Sequence, residues 1–286
     1  MGTFAEITCQ DKDAINAAFE EISKIEAIAS NFDPSSEISQ LNRMGTLKAS
    51  GDMMALVKNS LKYHKLSNDA FDITVSPVAD IWKQKIKEAQ EEKTQVSLPP
   101  SHDIYAKLPL IGSEKISIDE TTSLITFMQP GMAIDLGGIA QGYAVDKAVG
   151  RLKSLGITSA MVNLSGDIYC LGRRGNRKWR VAIRHPRNPG QILYPLDLEN
   201  QAVATSGDYE QFFMLNGKRY SHIINPKTGY PVDNGIVSVT IVADTTTAAD
   251  AMSTAIFVLG KEKATALVKG MDEIVEMKII EEKDIL

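Results

Sequence analysis

Cysteine is almost absent from this chain: Cys9 and Cys170 are the only two in 286 residues. Two cysteines so far apart offer no zinc-ligand spacing and no disulfide framework. They read as two small buried side chains, with a single disulfide between them left open. Long apolar runs are missing as well. No stretch approaches the ~18 apolar residues of a membrane-spanning helix. An excess of positive charge is also missing. Lys and Arg total 31 against 36 Asp and Glu, a net charge of −5, which argues against nucleic acid as the main partner. The four histidines lie far apart and form no motif. No secretory leader is legible; Met1-Gly2-Thr3 passes almost at once into structured-looking sequence, which leaves open a leader removed ahead of it. What is present fits a globular protein: 43% apolar and 23% charged residues, in a chain long enough for a large core.

Apolar spacing at Ile15, Ala18, Phe19, Ile22, Ile25 and Ala29 predicts a first helix. Asp33-Pro34-Ser35-Ser36 breaks it, and residues 36–42 read as a short capped turn of helix. Met54, Val57 and Leu61 mark another helix, with Asp52 as its expected cap. Residues 70–77 read as a loop or short strand. A polar helix follows from about Val78 to Lys93, with Pro99-Pro100 beyond its end. Residues 115–119 and 124–128 alternate like a hairpin. A helix is expected over 139–155, closed by Gly156. Residues 160–164 and 167–171 read as strands paired around Ser165-Gly166, and 179–184, 193–198 and 219–224 as strands extending that sheet. Residues 236–242 are the most strand-like run, 248–259 a buried helix and 274–280 a last strand. No repeat or linker stands out. The expected fold is one mixed α/β (α+β) unit over residues 1–286, a largely antiparallel sheet packed by helices, with two subdomains left open.

Three constellations could carry chemistry. In the stretch 134–146, Asp135 ends an apolar run, Gly137-Gly138 follows, and a helical pattern begins. Glycine lets backbone approach a ligand closely, and the amides of a helix start can receive an anion. The acid beside them then suits a metal or a ligand hydroxyl. This suggests a pocket for a phosphorylated ligand. The spacing is neither a dinucleotide fingerprint nor a P-loop, and a plain strand-to-helix corner fits as well. In the stretch 244–254, Thr246 or Thr247 can cap a helix. Asp250 and Thr254, four apart, share one face of it. Their neighbours Ala248, Ala251, Ala255 and Ile256 are apolar, and an unpaired buried carboxylate is costly. A carboxylate with a hydroxyl suits a hard cation, above all Mg²⁺. A structural hydrogen-bond network is the equal alternative. The third constellation joins the hydroxyl-rich strand end Ala204-Thr205-Ser206-Gly207-Asp208-Tyr209 to residues 220–231, where His222 stands late in a strand before a Pro/Gly turn. His222 is either a general base or a structural histidine. The basic cluster of residues 173–180 reads as a solvated turn, with phosphate or an acidic partner as the other reading.

Taken together, these segments resemble the ApbE family, the FAD:protein FMN transferases. The resemblance rests on Met1-Gly2-Thr3, Ser36-Glu37-Ile38-Ser39-Gln40-Leu41-Asn42, Ala70-Phe71-Asp72-Ile73-Thr74, residues 135–146, Val162-Asn163-Leu164-Ser165-Gly166-Asp167, Thr205-Ser206-Gly207-Asp208-Tyr209, residues 221–231 and residues 250–254. Each is weak alone, but they occur in family order over nearly the whole chain. The resemblance implies an enzyme that binds FAD and Mg²⁺, cleaves the diphosphate, attaches FMN to a Thr or Ser hydroxyl of an acceptor protein and releases AMP. It implies metal ligands at Gly138, through its carbonyl, and at Asp250 and Thr254. It implies flavin contacts at Ala70, Phe71, Asp72, Asp135, Gln141, Thr205, Ser206, His222 and Ile223. His222 is the catalytic base it suggests, and the acid cluster around Asp250 is the other taker of that proton. Hydrolysis of FAD to FMN and AMP is the near alternative, and a non-catalytic flavin carrier the distant one. The resemblance further implies a periplasmic or other extracytoplasmic protein, tethered to the membrane through a leader that these residues do not show; a cytoplasmic one stays open. Three positions depart from the family pattern. Gln141 stands where many relatives carry lysine, Asn68-Asp69 replaces a glycine pair, which predicts a stiffer loop, and Leu164-Ser165-Gly166 stands where a Gly-Gly turn is common.

Overall fold

The computed structural model describes residues 4–91, 96–188 and 190–285. Met1-Gly2-Thr3 lies outside the described residues, as does Lys93, the expected end of the polar helix. The first half of the chain runs β1 (Ala5–Thr8), α1 (Lys12–Ala29), α2 (Glu37–Met44), β2 (Thr46–Lys48), α3 (Gly51–Leu66), α4 (Ser76–Gln90), α5 (Ser101–Lys107), β3 (Ile116–Asp119) and β4 (Leu124–Phe127). The second half runs α6 (Ala140–Ser154), β5 (Ala160–Leu164), β6 (Asp167–Leu171), β7 (Trp179–Arg184), β8 (Ile192–Leu198), β9 (Gln201–Gly207), β10 (Phe212–Leu215), β11 (Lys218–Ser221), β12 (Ile236–Ala243), α7 (Thr246–Leu259), α8 (Lys261–Val268) and β13 (Ile274–Glu281). The main sheet has the order β1-β5-β6-β9-β12-β13, with every neighbouring pair antiparallel. The fold is therefore mixed α/β on a mainly antiparallel sheet, as the sequence implies.

All eight residues of β12 are buried, because both faces of the sheet are covered. Alternate side chains point to opposite faces. Val239, Ile241 and Ala243 join the large core with Ala144, Val145 and Ala148 of α6 and Ala251, Met252 and Ala255 of α7. Val242 and Val203 face the other way, against Trp179, Val181, Leu196 and Leu198. Here the structure corrects the sequence reading. β7 and β8 pair with each other as a separate hairpin, and so do β10 and β11. They do not extend the main sheet. The β7–β8 hairpin instead lays its buried side, Trp179, Val181 and Ile183, over a sheet face that would otherwise meet water.

The local corrections follow capping chemistry. Asp52 sits in the first turn of α3, but Ser50 is the cap, its hydroxyl accepting the Met53 N–H at 3.2 Å. Thr245, rather than Thr246 or Thr247, caps α7 by accepting the Ala248 N–H at 3.2 Å. A cap needs an extended backbone just before the helix, and Ser50 and Thr245 have it. Residues 73–75 form a 3₁₀ turn that runs into α4, with Pro77 in the first turn of that helix. β11 stops at Ser221, so His222 lies just past a strand end. The departures at Asn68, Asp69 and Ser165 all fall in left-handed backbone, with φ of 52°, 66° and 57°. Asn and Asp tolerate that region better than most side chains. Cys9 and Cys170 are free, which removes the disulfide reading. No helix among the described residues is long and apolar enough to cross a membrane.

A third apolar cluster holds α4 against β10 and β11. Trp82 stacks on Phe213 and Tyr220, and its indole N–H donates to the Gly229 carbonyl at 2.8 Å. This fixes the loop after His222 onto α4. A close helix–helix approach lies elsewhere, where α6 crosses α7 at Gly142. A Cβ there would press into the Thr246 carbonyl oxygen and reach the Asp250 Cβ at 2.8 Å. Gly150, in the same helix, has nothing within 4 Å of its Cβ position. Gly142→Ala is expected to cost about 3 kcal/mol through overpacking. Gly150→Ala is expected to add about 0.5–1 kcal/mol. Urea denaturation of both variants checks the contrast.

Candidate active site

The site has two clusters joined by the Gly137-Gly138 turn. The first lies where α6 meets α7, and two carboxylates there cap each other's helices. Asp250 of α7 accepts the Gly142 N–H of α6 at 3.0 Å. Asp146 of α6 accepts the Thr246 and Thr247 N–H groups of α7, each at 2.8 Å, and the Thr247 hydroxyl at 2.5 Å. Acids at helix starts complement the helix dipole. The amides that the sequence offered to a bound anion are thus largely engaged within the protein. Gly142 is held by Asp250, Gly137 by Asp135 at 2.8 Å, and Ala140 by the Leu136 carbonyl at 2.8 Å.

Asp167, at the start of β6, stands beside Asp250. Burial raises the Asp167 carboxyl well above its ordinary value, and the Asp250 charge adds to this. Burial also pushes Asp250 up, and the Asp146 charge acts in the same direction. Two buried carboxyls this close cannot both ionise cheaply without a counter-charge. One turn along α7, the Thr254 hydroxyl lies 3.1 Å from the Ser206 hydroxyl, which also meets Ser253 at 2.7 Å. Gly138 closes this corner. A Cβ on it would lie 3.4 Å from the Thr254 hydroxyl and 3.2 Å from the Phe71 ring. Gly138, Thr254, Ser206 and Phe71 are therefore neighbours, with Asp250 one turn before Thr254 on α7.

The second cluster centres on Asp135. Lys83 of α4 pairs with one carboxylate oxygen. The other oxygen accepts the Gly137 N–H at 2.8 Å and the Asn31 amide at 3.3 Å. Burial opposes the Asp135 charge, but Lys83 more than offsets it and the carboxyl lies below its ordinary value. His222 feels the same pair. Burial lowers its pKa and Lys83 lowers it further, while the Gln211 carbonyl and Asp135 act in the opposite direction. The Nδ1 of His222 lies 3.2 Å from that carbonyl. A carbonyl only accepts, so Nδ1 carries the proton and Nε2 keeps a free lone pair.

Other expected contacts lie apart from these clusters or have other partners. Thr205 points to the opposite sheet face from Ser206 and bonds Thr240 at 2.9 Å. Ile223 is a core side chain. Asp72 is engaged by the Thr74 N–H at 2.8 Å, the Ser113 hydroxyl at 2.8 Å and the Ser113 N–H at 3.1 Å. Its outer side borders a cavity of about 450 Å³ with His64, Asp69, Ile111, Glu114 and Lys227, next to buried Ala70. Gln141 is half-buried in the first turn of α6. Among the described residues no group of three or more His, Cys, Asp or Glu could hold a metal. A cation here would draw on hydroxyl and carbonyl oxygens besides Asp250. Sequence reasoning missed Lys83, Asn31, Asp146 and Asp167. Asp146 and Asp167 both lie inside motifs already singled out, so they were within reach. Lys83 carries no signal beyond being a polar residue on an amphipathic helix.

Comparison with known proteins identifies the family. The ApbE family profile matches residues 1–278. A "FAD:protein FMN transferase" of Haemophilus influenzae is 32% identical over 281 residues, covering 92% of this chain and 80% of that protein. The ApbE protein of Thermotoga maritima superposes with a TM-score of 0.86 at 29% identity, over 99% of this chain and 92% of that one. The flavin transferase ApbE of Vibrio cholerae gives 0.81 at 27% identity, over 99% and 95% of the two chains. With a profile that spans nearly all of its length, the chain belongs to the ApbE family.

Proposed function

We propose that this chain is a Mg²⁺-dependent FAD:protein FMN transferase that moves FMN from FAD to a Thr or Ser hydroxyl of an acceptor protein. The observation that carries the reading is the meeting of Gly138 with Thr254, one turn from buried Asp250. A carboxylate, a hydroxyl and a backbone carbonyl are all oxygen donors, the set a hard cation takes. The neighbouring Asp167 and Asp250 carboxyls, both driven upward, form a pocket short of positive charge. The donors therefore fit Mg²⁺, which Asp250, Thr254 and the Gly138 carbonyl would hold. When bound there, the ion neutralises charge that develops on the diphosphate.

The rest belongs to the chain's own side chains. His222 Nε2 takes the proton from the acceptor hydroxyl. The hydroxyl oxygen forms a bond to the flavin-side phosphorus, the bond from that phosphorus to the AMP oxygen breaks, and AMP leaves with the electron pair. Phe71, packed against Gly138, is assigned to the flavin, and the exposed Gly137 backbone leaves room for close approach. Water in place of the acceptor hydroxyl gives FMN and AMP instead. Incubation with FAD, Mg²⁺ and a candidate acceptor separates the outcomes. Flavin fluorescence on the denatured acceptor supports transfer. AMP and free FMN without labelling point to hydrolysis, and unchanged FAD to a carrier.

Asp250→Ala is expected to lower kcat/KM with Mg²⁺ at least 10³-fold, while the far-UV circular dichroism stays native. Asp250→Asn is expected to be as inactive but more stable than the alanine variant, because it still accepts the Gly142 N–H. Turnover close to the wild type in either variant would count against the metal assignment. The second expectation concerns pH. The lowered His222 pKa keeps the imidazole neutral at pH 7, and the base is lost as pH falls through that value. The kcat/KM profile should therefore show an acid limb below the ordinary 6.5. His222→Gln should remove the limb and about 10²–10⁴-fold of the rate.

A further inference from the structure

We propose that Lys83 is a positioning residue for the substrate diphosphate, held in place by Asp135; this rests on the flavin-transfer reading above. Asp135 is fixed from three directions, by Lys83 of α4, by Asn31 after α1 and by the Gly137 N–H of the turn. Its side chain is 15% exposed, whereas that of Lys83 is 41% exposed. The carboxylate is thus the enclosed partner and the ammonium the open one. An ammonium has three donors, and Asp135 is the partner on one side only. The remaining donors are the ones assigned to a ligand at the glycine turn, whose Gly137 N–H Asp135 also holds.

Charge argues the same way. Burial works against the Lys83 ammonium, but Asp135 and, one helical turn before Lys83, Asp80 together favour it more strongly. Without Lys83, Asp135 would lose its paired cation and Asp80 would keep only the more distant influence of Lys107, a rim less suited to a diphosphate. With it, the rim offers a cation at one end of the Gly137-Gly138 turn, and the Asp250–Thr254 face lies at the other. Gly137 between them is exposed. A diphosphate laid across that open backbone would meet the Lys83 ammonium at one end and, once the proposed Mg²⁺ is bound, that cation at the other. Gln141, on the first turn of α6, brings no charge to the task.

Binding to the intact protein tests this with ADP and riboflavin as separate probes, because ADP carries the diphosphate and riboflavin only the ring. Lys83→Met should weaken ADP binding and raise the KM for FAD about tenfold or more, the range of a lost charge-assisted hydrogen bond. Riboflavin affinity should not change, kcat should change less than KM, and Lys83→Arg should restore most of the ADP affinity. Unfolding in urea shows whether the Met variant remains native. If it does not, the Arg variant and a Lys83→Gln variant are compared instead. Unaltered ADP binding in a folded Met or Gln variant, or loss of riboflavin binding with ADP binding retained, would overturn the proposal. Either result leaves the transfer reading standing as long as the wild type labels its acceptor. Failure of the wild type to bind FAD would overturn both.

Discussion

Everything at the site depends on how closely α6 and α7 approach at Gly142. The missing Cβ lets the Thr246 carbonyl and the Asp250 side chain occupy space that any other residue would fill. At that separation each helix can reach the other's first turn. Asp250 takes an amide of α6, and Asp146 takes two amides of α7. A helix start leaves N–H groups without intrahelical partners, and here the two helices satisfy part of each other's need. The crossing also sets where Thr254 projects, one turn on, and so where Gly138 and Ser206 must come to meet it.

The sheet serves this crossing. β9 and β12 present Ala202, Ala204, Val239 and Ile241 to the helices, small and branched side chains that let α7 lie close. β9 then delivers Ser206 to the helix side by the same alternation that sends Thr205 to the far side. Adjacent hydroxyls therefore have different roles for a geometric reason. The β7–β8 hairpin covers the far side, which explains why β12 is buried throughout without being flanked by helices on both faces.

Much of this was legible in the residues, and the remainder failed for identifiable reasons. Local periodicity sufficed for α1, α7, β12 and the hairpin around Ser165-Gly166, since each depends on neighbours in sequence. The i, i+4 pairing of Asp250 with Thr254 needed only a helix. The membership of β7, β8, β10 and β11 did not follow, because strand propensity says nothing about which sheet a strand joins. Thr245 was passed over for Thr246 and Thr247 because three threonines in a row look alike until the backbone turns. Lys83 lies 52 residues before its partner Asp135, and nothing in the sequence of α4 distinguishes it from a solvated lysine. Of the amides expected to cradle an anion at the start of α6, that of Gly142 is taken by the Asp250 carboxylate, a long-range contact that local pattern does not reveal.

Charge is divided unequally across the glycine turn, and the division suits the proposed chemistry. At the α6–α7 end, burial raises Asp146, Asp167 and Asp250 together, so ionising all three is costly until a cation joins them. At the other end Asp135 stays below its ordinary value, because Lys83 stands against it. A lysine could not replace a divalent cation at the first end, because an ammonium donates protons and satisfies few oxygens, whereas a hard cation gathers carboxylate, hydroxyl and carbonyl oxygens at once. Conversely a second metal at Asp135 would lack ligands, since that carboxylate is already held by Lys83, Gly137 and Asn31. On the proposed reading, the two ends thus need different kinds of positive charge. His222, beside the Lys83–Asp135 pair rather than the acid cluster, is kept neutral by burial and by Lys83. A base in that position can accept a proton without first losing one, which is the condition for activating a neutral hydroxyl.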